Sequence, residues 1–96
     1  MPTNADLVAL AQKAQLPNYR PPAIVFSEGR GCRLTDVEGN EYLDFSGGIA
    51  VLSVGHGHPV LAKAIADQAA RLMHTSNLFY TDRAIELATA IADRTP

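Results

Sequence analysis

Apolar residues recur at helical spacing near the N-terminus. Leu7, Leu10, Ala11 and Ala14 share one face of a helix over Asn4 to Gln15. Thr3 or Asn4 can cap it, Asp6 suits the positive end of its dipole, and Pro17 ends it. Pro17, Pro21 and Pro22 then exclude helix and interior strand between Leu16 and Ala23. What remains is an extended crossing segment that carries Tyr19 and Arg20. From Ile24 to Phe45 the pattern becomes that of antiparallel strands. Ile24-Val25-Phe26 reads as a short strand, Glu28 to Gly31 as a turn, and Cys32 to Thr35 as a half-buried strand. Asp36-Val37-Glu38-Gly39-Asn40 reads as a hairpin turn, with Asp36 suited to its first position and Gly39 to a left-handed one. Glu41 to Phe45 is the return strand. Tyr42 and Phe45 lie on its opposite faces, which predicts cover on both.

The periodicity breaks between Ser46 and His58. Four glycines within positions 47 to 57 predict a close approach of backbone to another group. Pro59 is well placed to open a helix running to about Met73. Its apolar face is Leu61, Ala64, Ile65, Ala69 and Leu72, with Gln68 among them. Lys63, Asp67 and Arg71 lie four residues apart on the other face. Leu78-Phe79-Tyr80 is an apolar patch in a polar loop, and Thr81 caps a last helix faced by Ala84, Ile85, Ala88, Ile91 and Ala92. The fold class expected is α+β in one segment, 1–96. A helix spans 1–16, an extended segment and antiparallel strands 17–45, a glycine-rich bend 46–58, and two helices 59–96.

Composition narrows the function classes. The chain has 96 residues, of which 47% are apolar, which supports one small core and no second domain. Ten acidic residues against eight basic ones give a net charge of -2, so nothing argues for nucleic acid or an anionic membrane as partner. The single cysteine, Cys32, forms no internal disulfide and is expected to be a buried, inert thiol in a strand. No signal peptide or membrane span is visible, which makes the expected location cytoplasmic.

Few residues offer a complete chemical set. Gly55-His56-Gly57 before a helix has the start of a dinucleotide loop. However, its sixth position is Val60 rather than glycine, and Pro59 lacks a donor for phosphate. A tight turn into a helix is the better reading. His56 and His58 are two apart, but His74 lies beyond the next helix, so a metal set is weak. Their imidazoles are expected to bond backbone around the turn. Ser46 and Ser53 lack the context of a nucleophile elbow. Asp44 follows a strand, where it suits an anchor for the next turn better than a catalyst. Lys13 and Lys63 sit on polar helix faces. Read from the residues, the chain holds part of a site, and no residue is assigned to catalysis, cofactor or metal.

A run of local motifs carries a more specific resemblance. These are Tyr19-Arg20-Pro21, Gly29 to Leu34, Asp36 to Phe45, Gly47 to Val51, Gly55 to Pro59, and His74 to Tyr80. Together they resemble the N-terminal segment of class III, pyridoxal 5'-phosphate-dependent aminotransferases, over about residues 17 to 95. Within that family, Ser46 to Val51 with Ser76 to Tyr80 is most similar to the branch acting on acetylornithine. The resemblance implies the N-terminal part of a fold-type I transferase that works as a homodimer. It implies transfer of the amino group of N-acetylornithine to 2-oxoglutarate in arginine biosynthesis. Succinylornithine, ornithine and 4-aminobutyrate are the alternatives within the family, and a non-enzymatic interaction module is the alternative outside it. The resemblance also implies that the phosphate loop, the pyridine-pairing aspartate and the Schiff-base lysine lie beyond Pro96, so that this segment alone is inactive. Tyr19, Gly48 and Ile49 are implied at the substrate pocket, and Asn77 near the partner subunit's site. Related ornithine enzymes carry tyrosine where this chain has Ile49. An apolar side chain there favours an acylated substrate end over a free ammonium.

Overall fold

A computed structural model describes residues 1–96. The elements in chain order are α1 (Asn4–Ala14), β1 (Phe26–Arg30), β2 (Arg33–Asp36), β3 (Glu41–Leu43), a left-handed turn (Gly47–Ala50), α2 (Pro59–Arg71), a 3-10 turn (Ser76–Leu78) and α3 (Asp82–Ala92). They fall into two units, Met1–Lys63 and Ala64–Pro96, with the boundary inside α2.

In the first unit, α1 begins with a reciprocal cap. The Thr3 hydroxyl accepts from the Asp6 amide, and the Asp6 carboxylate accepts from the Thr3 amide. The strands form an antiparallel sheet in the order β1-β2-β3. Arg30 pairs with Arg33, Leu34 with Tyr42, and a bulge at Ser27 shifts the register near the start of β1. The Phe26 and Tyr42 rings meet edge to face, 5.3 Å between centroids.

Asp36 is the junction of this unit. Its carboxylate accepts from the Asn40 amide and side chain, the Glu38 amide, the Tyr42 hydroxyl and the Asn4 side chain. Asn4 also accepts from the Val25 amide, so one residue of α1 is tied to both ends of the β1-β2 hairpin. The turn itself is as the sequence predicts: the Gly39 amide donates to the Asp36 carbonyl and Gly39 has φ +86°.

In the second unit, the Gln68 side chain donates to the Leu72 carbonyl and closes the end of α2. Arg71 pairs with Asp82 at 3.0 Å, and Arg94 donates to the Ala90 carbonyl in the last turn of α3. Met73, Thr75, Asn77, Leu78, Tyr80 and Ile85 are among the residues lining a cavity beside the 3-10 turn.

Several sequence expectations are corrected. β1 runs on through Glu28, Gly29 and Arg30, and the turn is only Gly31-Cys32, because Gly31 takes φ +57° and reverses the chain in two residues. Cys32 therefore sits at a hairpin tip and is exposed rather than buried. Ile24-Val25 precede the strand instead of forming it. Phe45 is 94% exposed, so only the Tyr42 face of the return strand is covered. α2 stops at Arg71, and Thr81 occupies the cap position of α3 with no side-chain cap bond.

The largest correction concerns the core. No apolar side chain is buried; Asp36, 2% exposed, is the one buried residue. Composition counts apolar groups but not the surfaces that must face them. The amphipathic faces of α1, α2 and α3 exist, and no second layer in this chain covers them.

Candidate functional site

The glycine-rich bend is built by backbone pairing to the hairpin tip. The Gly31 amide donates to the His56 carbonyl at 2.9 Å, and the His56 amide to the Gly31 carbonyl at 2.8 Å. A Cβ on Gly55 would lie 2.9 Å from the Gly31 carbonyl oxygen, and one on Gly29 would lie 2.7 Å from the His56 ring. At Gly55 and Gly57 the close approach that the glycines predict is thus to the chain's own hairpin, whereas Gly47 and Gly48 meet only atoms of the bend itself. No phosphate need be invoked, in keeping with the reading of a tight turn into a helix.

Asp44 leaves β3 with its amide donating to the Cys32 carbonyl. Its Oδ1 accepts from the Ser46 amide and hydroxyl and the Gly47 amide, all within 3.0 Å. Its Oδ2 lies 2.6 Å from His56 Nε2. A carboxylate can only accept, so Nε2 carries the proton in this pair. The His56 bond, then the Gly47 amide, hold the Asp44 carboxyl below its ordinary 3.8, at about 2, against the opposing effect of burial. Asp44 is thus the turn anchor expected of it. The His56 ring bonds this carboxylate rather than backbone, which corrects the expectation for it. His58 Nδ1 is buried without a partner, so the expected backbone bond is absent there too.

Asp44 roots an uncommon turn. Gly47, Gly48, Ile49 and Ala50 all have φ between +54° and +65°, a single turn of left-handed helix. It is closed by bonds from the Ala50 amide to the Ser46 carbonyl and from the Val51 amide to the Gly47 carbonyl, both 2.8 Å. The two glycines adopt this geometry without steric cost. Ile49 and Ala50 each pay about 1–2 kcal/mol for it. A branched side chain in this region is a marked outlier, and such outliers cluster where a surface contacts a ligand. Ile49 is 90% exposed at the apex, so no other residue of this chain compensates the strain by packing on it.

The other residues singled out in the sequence stand apart. Tyr19 is 81% exposed and lines a groove with α1 residues Val8, Ala11 and Gln12 and the segment Leu16 to Val25; no residue of the left-handed turn belongs to that groove. Asn77 lies in the 3-10 turn of the second unit and is exposed. Sequence reasoning weighed Asp44 and His56 singly and missed that they pair. A carboxylate at a strand end and an imidazole in a glycine loop were both visible. Their register was not, because it depends on Gly31 pairing with His56.

The class-III aminotransferase family matches residues 14–96. A protein of Pseudomonas aeruginosa described as succinylornithine transaminase/acetylornithine aminotransferase is 48% identical over 80 residues, which are 83% of this chain and 20% of that protein. The acetylornithine aminotransferase of Methanothermobacter thermautotrophicus is 42% identical over 91 residues, 95% of this chain and 23% of the relative. Among solved structures, the acetylornithine aminotransferase of Elizabethkingia anophelis superposes with a TM-score of 0.90 at 31% identity, covering 97% of this chain and 24% of that one. The ornithine aminotransferase of Toxoplasma gondii, whose active site holds PLP at partial occupancy, gives 0.79 at 41% identity over 83% of this chain and 19% of its own. The chain therefore spans about a fifth to a quarter of the length of these relatives. With its helices, its three-stranded antiparallel sheet and a family match over most of its residues, the chain belongs to the class-III aminotransferases.

Proposed function

We propose that this chain supplies part of the substrate wall of a pyridoxal phosphate-dependent transaminase that moves the amino group of N-acetylornithine to 2-oxoglutarate, in arginine biosynthesis. The observation that carries the reading is Ile49, an apolar side chain held outward on a strained left-handed turn. A wall of this kind accepts an acyl group and offers no hydrogen bond to a free ammonium. The names of the relatives agree with an acylated substrate, acetylated or succinylated. The P. aeruginosa protein's double name is the specific support for succinylornithine as a second substrate.

The segment does not hold the cofactor by itself. The polar side chains at the turn are a carboxylate, an imidazole and the Ser46 hydroxyl, with no amine to bind an aldehyde and no lysine or arginine for a phosphate. Lys13 lies in the last turn of α1 and Lys63 on α2. The cofactor, which supplies the electron sink for transamination, is held by other parts of the complete enzyme. The role of these residues is to shape and line the substrate side. Alone, the 96-residue chain should be inactive: borohydride reduction with pyridoxal phosphate should give no stoichiometric label at Lys13 or Lys63, and such a label with turnover would overturn this.

Gly48 and Ile49 border the substrate, Tyr19 stands at the pocket rim, and Asn77 faces the partner subunit's site in a homodimer. No helix is long and apolar enough to cross a membrane, and the cytoplasm is the proposed location. The complete enzyme, assayed with 2-oxoglutarate and a panel of donors, tests the reading. N-acetylornithine or succinylornithine should show the highest kcat/KM. Preference for ornithine or 4-aminobutyrate would overturn it.

A further inference from the structure

Three segments meet through one side chain. His56 is fixed by two backbone bonds to Gly31 at the hairpin tip, and its ring lies against Gly29. Its Nε2 reaches Asp44 Oδ2 at 2.6 Å. The other oxygen of the same carboxylate holds the Ser46 and Gly47 amides, which open the left-handed turn. Ile49 and Ala50 keep positive φ at the far end of that turn. Such conformations persist only where the surroundings over-determine them. Within these 96 residues nothing packs against Ile49, and the restraint they supply comes from the root of the turn. There, one carboxylate is divided between the turn and an imidazole, and the imidazole is itself fixed to the sheet.

We infer that the Asp44–His56 pair is the positioning element that keeps the Gly47–Ala50 turn left-handed, and that it thereby determines substrate discrimination at Ile49. Both are positioning residues rather than catalytic ones. The second half of the inference rests on the proposed reading that Ile49 borders the substrate. His56 orients the carboxylate, the carboxylate fixes the first two amides of the turn, and the turn fixes the direction of the Ile49 side chain. A purely structural pair would support yield and thermal stability without changing the choice between substrates.

Three variants of the complete enzyme separate these cases. His56→Ala removes the ring. Gly29→Ala places a Cβ 2.7 Å from the ring's Cγ and displaces it while deleting no polar group. Asp44→Asn retains an oxygen for the Ser46 and Gly47 amides but turns an NH2 toward His56 Nε2, so it keeps the root of the turn and weakens the bond to the ring. His56→Ala and Gly29→Ala should each lower the ratio of kcat/KM for N-acetylornithine over ornithine by about tenfold or more, through KM more than kcat. Both should speed cleavage by a nonspecific protease within residues 46–52, and Asp44→Asn should fall between them and the parent in both measurements. A ratio within about twofold of the parent, with unchanged cleavage, in the two disruptive variants overturns the inference. Ile49→Tyr is measured alongside. If it too leaves the ratio unmoved, the reading of Ile49 as a substrate contact has failed and so has the claim about discrimination. The cleavage rates then decide the claim about the turn: faster cutting upholds it and unchanged cutting overturns it.

Discussion

Asp44 Oδ2 and His56 Nε2 stand 2.6 Å apart, twelve residues from each other in the chain. The bond joins the end of β3 to the glycine loop. It does so from a carboxylate whose other oxygen is already committed to the amides of Ser46 and Gly47. A single acidic side chain thus ties three backbone segments, and its protonation state matters to all of them.

The pH dependence follows from the direction of its shift. The folded environment holds the Asp44 carboxyl at about 2, below the ordinary 3.8. A depressed value means that the ionised form favours the folded state. Its contribution is complete above about 4 and is lost as pH falls through about 2. Asp36 is shifted the same way, first by the Asn40 side chain, with the Asn4, Tyr42 and backbone bonds adding to it against burial. Carbon-13 NMR of the side-chain carboxyls should place the Asp44 inflection near 2, and His56→Ala should move it upward. An inflection at the ordinary carboxylate value in the parent protein would contradict the pairing.

Backbone conformation gives a test of opposite signs. Ala50 has φ +62° and Gly55 has φ +81°. Ala50→Gly should raise stability by about 1 kcal/mol, because the left-handed penalty it removes exceeds the added freedom of the unfolded chain. Gly55→Ala should lower stability by about 1–3 kcal/mol from the backbone alone. Its new Cβ, 2.9 Å from the Gly31 carbonyl oxygen, adds to the loss. Denaturant unfolding of the complete enzyme reads both. A stabilising Gly55→Ala would show that the loop does not pair with the hairpin tip.

Exposed apolar groups predict assembly. Leu78, Phe79 and Tyr80 are consecutive and all exposed, and so are Leu61 and Ile65 on α2 and Leu72 just beyond it. Surfaces of this kind are rarely left open to water. The isolated 96-residue chain should associate with itself at micromolar concentration, as read by light scattering. A cooperatively unfolding monomer would mean that neither the rest of the enzyme nor a second subunit is needed to cover these faces.

Much of the local structure is legible in the sequence because its causes are local. Thr3 with Asp6 starts α1, Gly39 turns the hairpin, and Pro59 opens α2, each within a few residues of the feature it sets. Cys32 lies at the hairpin tip rather than in the strand because the left-handed conformation of Gly31 shortens the turn, and alternation of side chains does not report φ. The absent core was not legible at all. Amphipathic spacing says that a face needs a partner, not where the partner lies. The site was half legible. The motifs single out Gly48 and Ile49, but not the strain beneath them or the Asp44–His56 bond. Those depend on contacts between residues far apart in the chain.

The identity of the side chain at the apex of the left-handed turn should set the preference for the acylated substrate. The decisive measurement is kcat/KM for N-acetylornithine and for ornithine in the complete enzyme and in its Ile49→Tyr variant. On the proposed reading, a phenol in place of Ile49 would narrow the substrate wall and add a hydrogen-bonding group, and a site with a matched polar partner discriminates more strongly than an apolar one. The ratio should move toward ornithine by about tenfold or more. An unchanged ratio would place Ile49 away from the substrate and contradict the proposed role of the turn.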